Sequence, residues 1–177
     1  RMSETKRKGA RSKKDIPKGI LEQLNSGQIE TANLVEWLAV DQKILLENLL
    51  KSNKRTEYLK PILIKINELK KQTVNTVNEA IGTELYRQAD QCNDNEFLTI
   101  ISNHKADIVR CWATYTIGKN ESLNISQTLE QIQPFAADNH FGVREISWLS
   151  TRLKLTENIK ESIEILSNWT KSKDVNI

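Results

Sequence analysis

The sequence predicts an all-α protein, and its hydrophobic pattern is the main reason. Apolar residues recur at steps of three and four along most of the 177 residues, and no stretch of alternating β-branched residues is bounded by turn signals. A 34-residue internal repeat further predicts that pairs of helices stack into an α-α superhelix, a right-handed solenoid of HEAT-like repeats.

Three short helices are predicted near the N-terminal end. Asp15 can cap a helix that has Pro17 in its first turn and ends near Gly27. The stretch ETANLVEWLAV predicts a second helix, with Trp37 in the core, and Asp41 is a natural N-cap for a third. Their tight connections predict antiparallel packing.

A longer helical stretch is predicted from Tyr58 to about Cys92, where apolar residues form a continuous stripe. Pro61 is compatible with the first turn of a helix but not with its middle. Gly82 is the expected point at which this stretch divides into two helices.

The repeat is clearest after residue 95. A shift of 34 residues aligns EFLTIISNHKADIVRCW with EQIQPFAADNHFGVREI and with EILSNWTKSKDVNI, so that Val109 and Arg110 recur as Val143 and Arg144. Each unit predicts two antiparallel helices joined by a polar turn. The period is shared with tetratricopeptide repeats, but their residue pattern is missing, so HEAT-type repeats are favoured. Because the third unit stops at Ile177, we expect residues 15–177 to be one repeat domain that forms the N-terminal part of a longer array.

The charge is unevenly distributed. Residues 1–14 contain seven Lys or Arg and one Glu, whereas the remaining 163 residues contain 19 basic and 22 acidic side chains. This composition predicts a disordered basic tail, which serves either as a solubilising leader or as an arm that binds polyanions.

Several function classes have no support in the sequence. It lacks a signal peptide, an apolar run of about 20 residues, and the motifs of P-loop, Rossmann and zinc proteins. The two cysteines form no metal or disulfide pattern. We therefore expect a cytoplasmic monomer without membrane contact, cofactor or metal.

Three stretches, ETANLVEWLAVDQ, DNHFGVREISWLSTRL and SNWTKSKDVNI, resemble the bacterial DNA alkylation repair proteins, which are alkylpurine DNA glycosylases built from HEAT-like repeats. The resemblance covers roughly residues 15–177. It implies a concave groove that holds duplex DNA containing alkylated bases, and excision of N3- or N7-alkylated purines without a metal or cofactor. The alternative is a non-catalytic HEAT-like scaffold that binds DNA or another protein.

Three residues are candidates for the chemistry that this resemblance implies. Glu145 could stabilise an oxocarbenium-like sugar or activate water, although a carboxylate at a helix start is favoured by the helix dipole alone. Asp138 is a weaker candidate, because a helix-linking Asp is more often a cap. Trp148 shares a helix face with Glu145 and Arg144 and could contact a cationic nucleotide, so that all three could face one groove.

Basic residues at the predicted turns are candidates for phosphate contacts. Arg110 and Arg144 have an alternative role, since HEAT-like units often use such an arginine to bond the neighbouring repeat. The two histidines, His104 and His140, are expected to cap helices or lie at the surface. The full set of predicted DNA-binding residues is Arg144, Arg110, Lys105, Lys171, Lys173 and Arg152.

Overall fold

Helices account for all regular secondary structure in residues 6–171, the part of the chain that the computed structural model describes. The prediction of an all-α protein is therefore confirmed. None of these helices is long and apolar enough to cross a membrane. In chain order they are α1 (Lys18–Asn25), α2 (Leu34–Ala39), α3 (Gln42–Ser52), α4 (Leu59–Asn67), α5 (Val74–Gln91), α6 (Asn95–Ser102), α7 (Asp107–Gly118), α8 (Ile125–Ala136), α9 (Phe141–Glu157) and α10 (Ile159–Trp169).

Local capping signals explain most helix starts. The Asp41 carboxylate accepts the backbone N–H groups of Lys43 and Ile44 at 3.1 Å, as predicted for the start of α3. The first helix differs from the prediction. Asp15 ends a short 3-10 helix and accepts a bond from the Ser12 hydroxyl, so α1 begins two residues later than predicted, with Pro17 in the N-cap position.

The stretch from Tyr58 to Cys92 divides earlier than predicted. The break lies between α4 and α5, where Thr73 and Thr76 form a reciprocal capping box that starts α5. Gly82 lies inside α5, at a point where a Cβ would be 2.8 Å from the backbone oxygen of Trp112. The glycine therefore permits close packing of α5 on α7 and does not end a helix.

Helix α7 lies at the centre of the packing. It contacts the four helices α5, α6, α8 and α9. Trp112 in this helix is fully buried, and its indole N–H donates to Gln42 Oε1 at 3.0 Å. The helices α4, α6 and α8 each contact the helix that follows them, so α5, α7 and α9 form a neighbouring row.

Part of the basic segment is held against the body of the protein. The Arg7 guanidinium bonds both carboxylate oxygens of buried Glu36, at 2.5 and 2.7 Å. The Asn33 amide donates to the Ala10 carbonyl at 2.8 Å. The buried carboxylate of Glu36 thus offers Arg7 a partner within the body of the protein. Residues 1–5 of the predicted tail lie outside the described range.

Candidate functional site

Helix α9 presents several of the candidate residues on one exposed face, which we call the α9 face and define by Phe141, Glu145, Trp148 and Arg152. Steps of four, three and four residues place these side chains on the same side of the helix. Glu145 and Arg152 are exposed and Trp148 is partly buried. The opposite side of α9 contacts α7 and α8, which fixes the orientation of this face.

A shallow pocket of ≈ 450 Å³ opens on the α9 face. Its wall is almost entirely apolar, and two charged residues border it. The residues that line it are Glu145, Trp148, Leu149, Arg152, Leu155 and Thr156. The Trp148 ring also lies against Trp169 of α10, with 6.1 Å between ring centroids. Neither charged side chain forms a salt bridge within residues 6–171, so both are available to a ligand.

Arg144 does not join this pocket, contrary to the expectation that it shares a groove with Glu145 and Trp148. Its guanidinium turns back and donates to the Asp138 carbonyl at 2.8 Å. It lines a different pocket, on the side of α9 that faces the N-terminal segment. One residue along a helix corresponds to a rotation of about 100°, which is enough to separate Arg144 from Glu145.

Arg110 is committed to contacts within the protein. Its five N–H donors meet five acceptors: both Asp138 carboxylate oxygens, a Glu30 carboxylate oxygen, and the carbonyls of His104 and Lys105, at 2.7 to 3.1 Å. Burial lowers the pKa of Arg110, but the bonds to Asp138 and Glu30 outweigh it and raise the pKa overall. No donor remains for a phosphate, and the geometry agrees with the structural alternative.

Asp138 has a matching structural role. Both of its oxygens accept bonds from Arg110, and Oδ1 also accepts the His140 backbone N–H at 2.9 Å. The carboxylate therefore links α7 to the turn before α9. A carboxylate neutralised in this way is poorly placed to stabilise a developing positive charge on a substrate.

None of the lysine candidates in the described residues lines the pocket on the α9 face. Lys105 is exposed and lines the same pocket as Arg144. Lys171 is exposed just after α10. Lys173 lies outside the described residues.

Sequence reasoning missed a buried polar cluster at the start of α9. Thr31 donates its backbone N–H and its hydroxyl to the two oxygens of Asp107, at 2.9 and 2.6 Å. His140 Nε2 lies 2.8 Å from the Thr31 carbonyl and 3.2 Å from Asp107 Oδ2. Burial raises the pKa of Asp107, and nearby His140 and the bonds from Thr31 oppose that rise. An acidic residue in the apolar run DIVRCW was the available signal.

These three residue types also occur in hydrolase triads, but their arrangement here differs. In a triad the carboxylate orients Nδ1–H, and Nε2 takes the proton of the nucleophile. Here Nδ1 of His140 accepts the Gly142 backbone N–H at 3.0 Å. The Thr31 hydroxyl oxygen and Asp107 Oδ2 both lie close to Nε2, at 3.0 and 3.2 Å. The cluster joins the loop before α2 to α7 and α9. The prediction that His140 caps a helix is confirmed.

Within residues 6–171 no group of three or more His, Cys, Asp or Glu side chains is arranged to hold a metal ion. Comparison with protein-family models, with curated proteins and with solved structures finds no match for this chain.

Proposed function

We propose that this chain is a HEAT-like helical-repeat protein of DNA alkylation repair, and that its α9 face meets an alkylated purine nucleotide in duplex DNA. The observation that carries the proposal is the pocket in which Glu145, Trp148 and Arg152 lie together against an apolar wall. The residue types correspond to a carboxylate, an aromatic surface and a cation, which are the three groups that this substrate requires.

The repeat part of the proposal is supported by helix boundaries and by one recurring bond. The ends of α6 and α8 are 34 residues apart, and so are the starts of α7 and α9. Arg110 donates to the carbonyl six residues before it, and Arg144 does the same, both at 2.8 Å. Arg110 also bonds Asp138 of the next pair, as expected of an arginine that joins neighbouring repeats.

The chemistry requires little from the protein. An N3- or N7-alkylated purine is positively charged and leaves readily, which generates an oxocarbenium-like sugar. Glu145 supplies negative charge next to that sugar and can accept a proton from the attacking water. Trp148 offers its ring face to the cationic base, a contact of about 0.5–2 kcal/mol. No metal or cofactor takes part in this scheme.

DNA would be held through its phosphates. Arg152 borders the pocket and is exposed, so it is the nearest candidate for a phosphate flanking the damaged nucleotide. Arg144 and Lys105 line a separate pocket at the N-terminal end of α9, where they could contact other phosphates of the same duplex. Contacts of this kind position the duplex without reading its sequence.

The test is release of methylated purines from a methylated duplex, measured as free base by chromatography. We expect the Glu145→Gln variant to release base about 10²-fold more slowly, because it loses the charge that stabilises the transition state. Glu157→Gln is the matched control, since it removes an exposed carboxylate from the last residue of the same helix and should leave the rate unchanged.

Two results would contradict the proposal. If Glu145→Gln releases methylated purine at the parent rate, the catalytic role of this carboxylate is contradicted. Absence of release by the unsubstituted chain favours the alternative, a non-catalytic scaffold. That alternative is supported by exposed apolar side chains on α9 and α10, where Leu153, Ile159 and Ile163 are 65%, 54% and 60% exposed.

A further inference from the structure

A second pocket, of ≈ 440 Å³, lies between the N-terminal segment and the start of α9. Four cationic side chains and one carboxylate are among the residues that line it. The cationic groups come from three separate parts of the chain: Lys6 and Arg7, Lys105, and Arg144. Such convergence of like charges from distant segments is costly unless an anion compensates it.

The acidic groups at this pocket already have partners. Glu30 accepts from Arg110 at 2.7 Å, and Glu36 behind the pocket accepts two bonds from Arg7. Within residues 6–171, by contrast, Lys6, Lys105 and Arg144 form no salt bridge. The pocket therefore has an excess of positive charge with no protein counterion.

The N-terminal segment is held in a position that maintains this charge. The Arg7–Glu36 ion pair and the Asn33 bond to the Ala10 carbonyl fix residues 7–10 beside the pocket, with Lys6 at its edge. The first turn of the 17-residue helix α9 lies on the opposite side, and its dipole also favours an anion.

Part of the remaining wall is apolar. Ile29, Ala32 and the ring of Phe141 line the pocket, and the Phe141 ring is stacked on His140 with 4.6 Å between centroids. Inorganic anions make no use of such a wall. A phosphate ester does, because its organic part can lie on the aromatic and aliphatic surface while its oxygens meet the cations.

We propose that this pocket binds the phosphate group of a nucleotide, either free or within a polynucleotide. Lys105 and Arg144 contact the phosphate oxygens, Lys6 adds charge at the edge, and Phe141 contacts the organic part. The site is separate from the pocket on the α9 face, and it does not depend on base excision.

The test is titration of the full chain, followed by the backbone amide NMR signals of residues 139–144. The probes are pyrophosphate, adenosine 5′-monophosphate and an unmodified 12-base-pair duplex. We expect at least one phosphate ester to shift these signals, with affinity that falls as salt is raised. Lys105→Gln should weaken binding about tenfold, because it removes a charge-assisted bond. Arg144→Gln should have a similar effect.

Lys43→Gln is the matched control, since Lys43 is an exposed lysine on α3 away from the pocket, and it should leave the affinity unchanged.

Binding of the monophosphate indicates that the ligand is a free nucleotide. Binding of the duplex alone indicates that the ligand is a phosphodiester backbone. Loss of binding in Lys105→Gln supports the site in both cases. Absence of binding by all three probes, or equal affinity in Lys105→Gln and the parent chain, overturns the proposal.

Discussion

Replacing Gly118 with alanine is expected to force α7 and α9 apart. Gly118 is the last residue of α7, and a Cβ at this position would overlap the backbone oxygen of Ser150 and lie 2.6 Å from its carbonyl carbon. Carbon atoms in contact normally lie about 3.5–4.0 Å apart. The neighbouring atoms belong to the backbone of α9, so no side-chain rotation relieves the overlap.

The size of the effect follows from this geometry. Restoring normal separation requires a shift of about 1 Å between the two helices, which forfeits a quarter to a half of each dispersion contact at the interface. Overpacking of this kind typically costs about 1–3 kcal/mol. The better helix propensity of alanine returns at most about 1 kcal/mol. We expect a net loss of about 1–2 kcal/mol, which lowers Tm by about 2–8 °C in a chain of this size.

Thermal and urea unfolding monitored by circular dichroism measure the change. Gly19→Ala is the matched control, because nothing lies within 4 Å of a Cβ at that position in α1. It should raise stability by about 0.5–1 kcal/mol through helix propensity alone. A Gly118→Ala variant as stable as the parent chain would refute the close approach of α7 and α9.

Two further predictions concern carboxylates. Asp138→Asn should lower the free energy of unfolding in urea by about 2 kcal/mol, because it leaves the half-buried Arg110 poorly paired. Base release by the folded variant should stay within about twofold of the parent rate. Unchanged stability with lost release would instead make Asp138 catalytic. The Arg55 guanidinium holds the pKa of Asp94 at about 2, below its usual 3.8. Because the pKa of Asp94 is lower in the folded state, the carboxylate adds about 1–2 kcal/mol to the free energy of unfolding, after a discount for solvent screening. This contribution is present above about pH 4 and is lost as pH falls towards 2. Urea midpoints from pH 6 to pH 2.5 should fall more steeply for the parent chain than for Asp94→Asn, and parallel curves would contradict this assignment.

Features that depend on neighbouring residues were predictable from the sequence. The Asp41 cap involves residues two and three positions away, and the shared face of Glu145 and Trp148 follows from a spacing of three. The same local logic applies to the cap of α9, where His140 accepts the Gly142 backbone N–H two residues later, at 3.0 Å. His104 accepts the Ala106 backbone N–H at 3.0 Å, but this bond lies in the turn before α7 and His104 is not the N-cap of that helix.

Features that depend on distant residues were not predictable. The partner of Arg7 is 29 residues away, and a composition rule that predicts disorder contains no information about a buried carboxylate at Glu36. A glycine within a helical pattern predicts a break at Gly82, and the sequence does not show that α7 passes close to this position. The position of Arg144 likewise depended on a carbonyl in the preceding turn, which drew its side chain away from the α9 face.

The buried cluster of Thr31, Asp107 and His140 also bears on the order in which the chain folds. Thr31 finds its partners 76 and 109 residues further along the chain, and closing such long loops costs entropy that only a formed partner surface can offset. We therefore expect the segment around Thr31 to acquire protection from hydrogen exchange after α7 and α9, and to lose it first when the protein unfolds. The segment that supports the phosphate pocket would then be the part of the molecule most readily released without global unfolding.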